Sequence, residues 1–521
     1  MAKKIEFTLR FDQDLETYVK QNYSDVLDYH ILSQSLDARK ASRGRVPTYH
    51  YILEVKTKDL DFENRLENFP LLGPMKEKPL IIGAGPAGLF CALRLSEYGI
   101  PSIIIERGAP ASKRMLEIAK HWRYGVFNEE TNVCYGEGGA GLFSDGKLIT
   151  RIKSPLVQYV MNKFVEYGAP ADTAYTSNPH LGSNKIRSII TKITDDLKSK
   201  GTEIYYNESV EDFITSNNSV VGVKTRSGKE FHSNHIVLAT GHSAKNIYEA
   251  LRKHQVSYEA KDFAIGVRIE HPRSYIDQIQ YGEFSKSGEL GAARYRLSYH
   301  NEETDKGTYS FCMCPGGYVL SSGTEKEGIV VNGMSNFARN SPWSNSALVV
   351  SVKKEEDFKP GQDALGGVHY QTNIEKKAFA ISKRLGTGKE LPAVTLKEFM
   401  EGKLDHRKLP ITSSPSGLVK ADLGEILPQN VMSHLKKSLL EFDHNLKGYV
   451  YEKALLIAPE TRTSAPVTIL RNKETLLSTS HLGLYPCGEG AGHAGGITSA
   501  AVDGIKVAES LVRSEKNYSR V

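Results

Sequence analysis

Short strand-like and helix-like patterns alternate over residues 1–75 and predict a small α+β module of ferredoxin-like type. Three segments alternate apolar and polar side chains, as half-buried strands do: KIEFTLRF (4–11), YHILSQSL (29–36) and TYHYILEV (48–55). Asp14 can cap a short helix that ends near Tyr23, and DLDFENRLENF at 59–69 predicts a second helix. Three prolines and a glycine then mark a linker at 69–79.

The rest of the chain predicts an α/β fold with an insertion. A buried strand, a helix and a second strand follow one another over 79–106, and a helix with one apolar face covers 183–201. EIYYNESVEDFI (203–214) predicts one strand, and a hairpin and a buried strand ending at Gly241 follow it. Several short strands in series then indicate a mostly antiparallel sheet. We therefore expect a Rossmann-like domain at 76–250 and 466–521, with a β-rich substrate domain inserted at 251–465.

The turn between the first strand and its helix carries the sequence GAGPAG at 83–88. Its first glycine allows a tight turn, its second lets a pyrophosphate approach the backbone, and its third lets helix and strand pack closely. Glu106 ends the second strand, where a carboxylate accepts hydrogen bonds from an adenosine ribose. The residues expected to hold a dinucleotide here are Gly83, Gly85, Pro86, Ala87, Gly88, Glu106 and Arg107.

The glycine-rich segment at 485–498 distinguishes FAD from NAD, because it resembles the second FAD-contacting segment of the glutathione-reductase-like flavoproteins. That resemblance implies that Glu489 meets the ribityl chain and that the helix starting near Ile497 points its N-terminus at the flavin. Two further short segments resemble the superfamily, around Val210 and at ATG (239–241). The residues implied in FAD binding are Val210, Thr240, Gly241, Gly488, Glu489, Gly495, Gly496 and Ile497.

A narrower resemblance rests on GEGGAGLFSDGKL at 136–148, FCMCPGGYV at 311–319 and ETRTSAPV at 460–467. These segments are similar to a signature of a bacterial family of uncharacterised FAD-dependent dehydrogenases. The family implies a fold and a cofactor, and it leaves the substrate open. No His or Cys lies in a recognisable flavin-attachment segment, so we expect the FAD to be bound non-covalently. In the first segment it adds four residues to the expected cofactor site: Gly138, Gly139, Ser144 and Lys147.

The residues favour hydride transfer through flavin N5 between FAD and an unidentified organic substrate. Only one dinucleotide fingerprint is present, so NAD(P)H is expected at most as a transient electron donor. Two other functions stay open: a flavoprotein that modifies RNA, and a flavin-dependent redox sensor that binds a partner protein through the N-terminal module. A steep salt dependence would favour the first, and slow flavin reduction the second.

Five residues are candidates for catalysis, each with a structural alternative. Lys147 could lie near the flavin or at the surface, and His493 could move a proton or only hold its loop. Arg462 could anchor an anionic substrate or pair with Glu460 or another carboxylate. Cys312 and Cys314 lie two positions apart on a predicted strand, so both thiols face the same side. They form either a redox-active pair or two small buried apolar side chains.

Composition limits the partners and the compartment. The formal net charge of +6 comes from 67 basic and 61 acidic side chains, which is too mild to indicate a stable nucleic-acid partner. The five cysteines form no disulfide or metal-binding spacing, the N-terminus lacks the apolar stretch of a signal peptide, and no apolar run is long enough to span a membrane. We therefore expect a cytoplasmic protein without a metal that acts on a small molecule.

Overall fold

The N-terminal module is a three-stranded antiparallel sheet with one helix against it. The computed structural model describes residues 3–62, 69–358, 361 and 363–515. The module comprises β1 (Lys3–Arg10), α1 (Leu15–Asn22), β2 (Asp28–Asp37) and β3 (Thr48–Lys56). The helix α1 begins after Asp14 because its carboxylate accepts the backbone N–H of Thr17 at 2.8 Å. The sheet order is β1-β3-β2. Most of the second predicted helix, 63–68, lies outside the described residues, so the ferredoxin-like assignment stays a prediction.

The next part of the chain alternates strands and helices up to residue 253. Its elements are β4 (Leu80–Ile82), α2 (Pro86–Glu97), β5 (Ile103–Ile105), α3 (Ala111–Tyr124), α4 (Leu156–Glu166), α5 (Gly182–Ser199), β6 (Glu203–Tyr205), β7 (Val210–Ser216), β8 (Ser219–Thr225), β9 (Glu230–His232), β10 (Ile236–Leu238) and α6 (Lys245–Lys253). The strands β7, β8 and β9 form a separate antiparallel sheet. The sequence predicted one strand over 203–214, which is wrong: the chain turns at Asn207, whose φ is +57°, so β6 and β7 join different sheets.

The remaining elements build a second large sheet and then return to the first. They are β11 (Tyr258–Ala260), β12 (Phe263–Pro272), α7 (Arg273–Tyr281), β13 (Ser298–Asn301), β14 (Lys306–Cys314), β15 (Tyr318–Ser321), β16 (Val331–Met334), β17 (Trp343–Val352), α8 (Gly366–Leu385), β18 (Leu391–Thr395), α9 (Leu396–Glu401), β19 (Leu418–Lys420), α10 (Gln429–Asn445), β20 (Leu455–Glu460), β21 (Val467–Ile469), β22 (Leu484–Pro486) and α11 (Ile497–Ser514).

Two sheets organise the molecule. The first is parallel, in the order β22-β10-β4-β5-β6, and its strands are short and almost entirely apolar because helices cover them. The second has seven strands in the order β13-β14-β17-β12-β20-β18-β19, and every pair is antiparallel except β18 with β19. The chain is thus a mixed α/β protein with a Rossmann-like sheet and an inserted, mostly antiparallel sheet, as the sequence predicted.

Close packing of α2 against α11 joins the two ends of the Rossmann-like part. A Cβ at Gly504 would lie 2.0 Å from the carbonyl oxygen of Ala87, so only glycine permits this approach. The N-terminal module contacts both other parts: Gln34 forms a β-bridge to Thr176, and the ring of Phe11 meets that of Phe284 edge to face. Within the described residues, the model contains no helix with the length and apolar character of a membrane span.

Candidate functional site

The GAGPAG turn connects β4 to α2 in the way that nucleotide binding requires. Gly83 has a φ of +105°, and a Cβ there would lie 2.5 Å from the carbonyl oxygen of Ala239. At Gly88 a Cβ would lie 2.0 Å from the oxygen of Gly83, so its absence lets helix and strand pack. Gly85 caps α2 and faces open space, with Pro86 in the first turn. The free N–H groups at this helix end can therefore receive a phosphate.

The carboxylate of Glu106 ties three loops together. It accepts the backbone N–H groups of Ala84 at 2.8 Å, Gly108 at 2.9 Å and Gly136 at 2.9 Å. A carboxylate offers about four lone-pair directions, so roughly one remains for a ligand. The side chain also lines the large cavity described below. Its predicted contact with a ribose stays a prediction, and the structure adds that Glu106 orders the loop on which a nucleotide would lie.

Arg107 lies in a fixed position beside Glu106. Its Nε donates to Glu130 at 2.6 Å and a terminal nitrogen donates to Asn246 at 3.1 Å. The guanidinium carbon also lies 4.4 Å from the centre of the Tyr135 ring, a cation–π contact. Val210, at the start of β7, lines the same part of the cavity. This corner is therefore preorganised around a flat cationic group.

The 138–147 segment packs directly on the GAGPAG turn. The N–H of Gly138 donates to the oxygen of Ala84 at 2.8 Å, and a Cβ at Gly139 would lie 3.2 Å from the Cα of Gly85. The hydroxyl of Ser144 donates a hydrogen bond to the carbonyl oxygen of Gly141 at 2.8 Å. The segment thus forms part of the cavity wall beside the start of α2.

A single large cavity brings the predicted residues together. Its volume is about 2590 Å³, whereas pockets for one small ligand span about 300–1,000 Å³. Gly88, Gly138 and Gly488 lie behind its wall, and Cys314 does not line it either. The predicted residues that line it are Gly83, Gly85, Pro86, Ala87, Glu106, Arg107, Gly139, Ser144, Lys147, Val210, Thr240, Gly241, Cys312, Arg462, Glu489, His493, Gly495, Gly496 and Ile497.

The C-terminal wall carries an ionisable group without a hydrogen-bond partner in the described part of the chain. Burial raises the pKa of Glu489 to about 7, with Cys312 adding to the shift and Lys261 opposing it. The next residues leave room for a flat ligand, because Cβ atoms at Gly495 and Gly496 would meet nothing within 4 Å. Behind Glu489, the N–H of Gly488 donates to Asp503 at 2.7 Å. An open glycine surface and a free carboxyl group fit the ribityl and ring portions of FAD.

Cys312 and Cys314 lie at an irregularity of β14 rather than on a regular strand. Cys312 has a φ of +44°, and the pairing with β17 shifts register between Phe311 and Cys314. The thiol of Cys314 is buried and donates to the carbonyl oxygen of Cys312 at 3.2 Å, whereas Cys312 reaches the cavity. The bulge therefore interrupts the simple alternation that the sequence predicted and turns one cysteine toward the site.

The charges around this pair separate the two thiols. The neighbouring Cys314 and the cations of Lys147 and Arg268 lower the pKa of Cys312, against burial and the carboxylate of Asp145. Burial and the neighbouring Cys312 raise the pKa of Cys314 well above its usual value. Of the two thiols, Cys312 therefore ionises first and faces the cavity, and Cys314 is the buried thiol beside it.

The other three candidate side chains differ in how many of their hydrogen-bond donors already have a partner within the protein. Arg462 donates to both carboxylate oxygens of Glu375, at 3.0 and 2.8 Å, and so its guanidinium forms a buried ion pair. His493 shares a hydrogen bond with the carbonyl oxygen of Ile469 at 3.0 Å. Among the described residues, the Nζ of Lys147 has no hydrogen-bond partner, and a carboxylate oxygen of Asp145 lies 3.5 Å away. Of these three side chains, Lys147 keeps the most donors for a ligand.

Sequence reasoning missed several residues that the fold places at the cavity or behind its wall. Glu375 comes from α8 and pairs with Arg462, and Arg268 pairs with Glu460 through Nε at 2.9 Å. Lys261 donates to the oxygen of Gly492 at 3.0 Å beside the C-terminal wall. None of these residues belongs to a recognisable motif. Within the described residues, no three His, Cys, Asp or Glu side chains are grouped to hold a metal ion.

Known proteins match this chain along most of its length. A family described as pyridine nucleotide-disulphide oxidoreductase matches residues 77–248, and one described as FAD-dependent protein, C-terminal domain-like, matches residues 262–463. Two solved structures show only weak likeness. A triple mutant of the flavin-dependent brominase Bmp2 has 13% identity and a TM-score of 0.37, over 85% of this chain and 82% of that one. The L-amino acid deaminase of Proteus myxofaciens in complex with anthranilate has 12% identity and a TM-score of 0.34, over 88% of this chain and 93% of that one. Scores this low carry no functional argument.

A full-length relative shows the family. An uncharacterised protein of Clostridium beijerinckii is 40% identical over 534 aligned positions, which cover 98% of this chain and 99% of that protein. The two family models and the glycine-built cavity agree on FAD as the cofactor. The chain therefore belongs to the same family as the clostridial protein, and it is an FAD-dependent oxidoreductase.

Proposed function

We propose that the protein is an FAD-dependent dehydrogenase or reductase that binds an organic substrate in the same cavity as its cofactor. The observation that carries this proposal is the cavity itself, because about 2590 Å³ exceeds the volume of a pocket for one ligand by more than twofold. FAD, when bound, supplies hydride transfer at its N5 atom. The chain supplies the binding groups, the orientation and the proton-exchanging side chains.

The cofactor would lie along the glycine-built side of the cavity. The N-terminus of α2 at Gly85 can receive the pyrophosphate, and Glu106 and Arg107 can contact the adenosine. Glu489 can accept a ribityl hydroxyl. The N-terminus of α11, after two glycines that leave open space, can stabilise negative charge on the flavin ring.

Cys312 and Lys147 are the groups that we assign to the substrate side. Both line the cavity, and they are close enough for the cation of Lys147 to lower the pKa of the Cys312 thiol. Arg462 and His493 are held by protein partners, so we assign them to positioning the wall.

Anaerobic reduction of the FAD-loaded protein tests the function. NADH, NADPH and a panel of oxidisable metabolites are mixed with the protein, and bleaching of the flavin absorbance band is followed by stopped flow. Rapid bleaching by NADH or NADPH supports the reductase direction, and bleaching by a metabolite supports the dehydrogenase direction. Loss of bleaching in Cys312→Ser with FAD content unchanged would place the thiol at the reacting centre. Slow bleaching by every compound contradicts the proposal and favours a redox sensor.

A further inference from the structure

Five basic side chains that line the cavity come from three separate parts of the chain. We call them the cationic rim. One belongs to the N-terminal module, one follows the 136–148 segment, and three belong to the inserted region. The rim consists of Arg43, Arg151, Arg294, Arg296 and Lys447.

The rim cations lack carboxylate partners in the described part of the chain: none has a carboxylate oxygen within 4.0 Å. Among the acids that line the cavity, Asp145 is bound to Arg339 and Glu460 to Arg268, whereas the free carboxyl group of Glu489 lies on the C-terminal wall. Asp443, beside Lys447, accepts the backbone N–H groups of Gly448 and Val450. The rim therefore presents unneutralised positive charge to whatever enters.

Local structure fixes two of the rim residues side by side. Arg294 and Arg296 are exposed to the cavity, whereas Ala293, Tyr295 and Leu297 between and beside them are buried. This alternation is that of an extended segment, so both guanidinium groups point the same way. Arg294 also donates to the carbonyl oxygen of Asn178 at 3.0 Å, which holds it in place.

The surroundings of Arg294 disfavour its charge in the absence of an anion. Partial burial, together with repulsion from Arg339, lowers the pKa of Arg294, and the nearby carboxylate of Asp145 opposes that shift. An anion bound beside it would relieve that repulsion. A guanidinium group matches a carboxylate or a phosphate through two parallel hydrogen bonds.

Docking of the N-terminal module brings the last rim residue into place. Ala41 and Ser42 pack on Gly282, where an added Cβ would lie 3.0 Å from the Cα of Ser42. That contact holds the short helical turn that ends at Arg43 against the inserted region. Arg45, two residues on, lies outside the cavity. The module therefore contributes to one wall of the site.

We propose that the cationic rim binds the anionic groups of the substrate, which is a small organic polyanion carrying carboxylates or phosphates. This inference rests on the proposed function, since it assigns the substrate class of the same cavity. The rim cations line the same partly open cavity as the residues that would hold FAD, so an anion bound there lies beside the cofactor, which favours a small molecule over a nucleic acid.

Calorimetric titration of the FAD-saturated protein with citrate, pyrophosphate and glucose tests the rim. Citrate or pyrophosphate binds more tightly than neutral glucose, and the tighter of the two distinguishes carboxylate from phosphate recognition. Arg294→Gln and Arg296→Gln each weaken that anion at least tenfold, whereas the matched control Arg45→Gln leaves its affinity unchanged. Binding also weakens as ionic strength rises. FAD content is measured for every variant to show that the cofactor site is intact.

Three results would overturn the assignment. The first is equal binding of glucose and both anions, and the second is an Arg45→Gln loss as large as that of Arg294→Gln. The third is tighter binding of a single-stranded RNA oligonucleotide, followed by fluorescence anisotropy, which would assign the rim to nucleic acid. The titration needs no turnover, so failure of the proposed oxidoreductase reaction would appear only in the reduction assay and not here.

Discussion

The guanidinium of Arg462 meets both carboxylate oxygens of Glu375 at 3.0 and 2.8 Å, although the two residues lie 87 positions apart in the sequence. The other terminal nitrogen of Arg462 donates a hydrogen bond to the hydroxyl oxygen of Thr324 at 2.6 Å. Both charged groups are almost completely buried. The buried ion pair therefore links α8 to the segment after β20, and it orients the cavity wall around Arg462.

Removing one member of this pair is expected to destabilise the protein strongly. Glu375→Ala leaves a buried cation without its partner, which costs about 3–5 kcal/mol in comparable sites. Glu325→Ala removes a partly exposed partner of Lys245 and is expected to cost about 0–1 kcal/mol. Urea unfolding of both FAD-free variants, followed by circular dichroism, measures the difference. Equal losses of unfolding free energy in the two variants would contradict the role of the buried ion pair.

Substitutions at two glycines of the GAGPAG turn are expected to differ in effect, because one impairs only cofactor binding and the other also impairs folding. Gly85→Ala adds a Cβ whose nearest neighbour is the Cα of Gly139 at 3.9 Å, so the fold tolerates it while the pyrophosphate loses its close approach. We expect at least a tenfold weaker FAD affinity with an unchanged melting temperature of the FAD-free protein. Gly88→Ala would place a Cβ 2.0 Å from a carbonyl oxygen, so it lowers both the FAD affinity and the melting temperature. A Gly85→Ala variant that binds FAD normally would place the pyrophosphate elsewhere.

Cys312 is expected to ionise at a lower pH than Cys134, which also lines the cavity. Because neighbouring cations and Cys314 lower the pKa of Cys312, whereas burial raises that of Cys134, the Cys312 thiolate persists to a lower pH. Alkylation of the FAD-loaded protein by iodoacetamide, mapped by mass spectrometry at a series of pH values, should therefore fall off at a lower pH for Cys312 than for Cys134. Parallel pH profiles for the two cysteines would contradict the assignment.

Glu489 is expected to make the FAD-free protein less stable as pH rises. Because its folded pKa of about 7 lies above the value near 4.3 of an exposed glutamate, the folded state binds the extra proton between those pH values. Stability from this group is therefore full below about pH 4 and is lost progressively up to about pH 7. Melting temperatures at pH 5 and pH 8 should differ less in Glu489→Gln than in the unsubstituted protein or in Glu325→Gln. An identical difference in all three would show that Glu489 titrates normally.

The parts of the fold that depend on local sequence were predictable. The β4–α2–β5 unit follows from an apolar strand, a glycine-rich turn and a helix with a clear end, and each of these signals lies within a few residues. The split of 203–214 into two strands was missed because a single asparagine, Asn207, adopts a left-handed conformation that no pattern demanded. The bulge at Cys312 was missed for a similar reason, since it depends on register with β17.

The candidate site was predictable only where motifs carry it. The FAD-side glycines gather around one cavity, whereas Glu375, the partner of Arg462, comes from a distant segment without a motif. The cationic rim joins Arg43, Arg294 and Lys447, which are separated by well over a hundred residues at each step. Such clusters depend on tertiary packing, and a single sequence contains no local signal for them.

The strand order of the parallel sheet also has a consequence for synthesis on the ribosome. The strands β4, β5, β6 and β10 are made before residue 240, but their edge partner β22 begins only at Leu484. Until then the edge of β10 is unpaired and the glycine wall at Gly495 is missing. An unpaired strand edge can pair with another chain. The nascent protein therefore cannot assemble its cofactor pocket during most of translation, and the long inserted region has time to fold first.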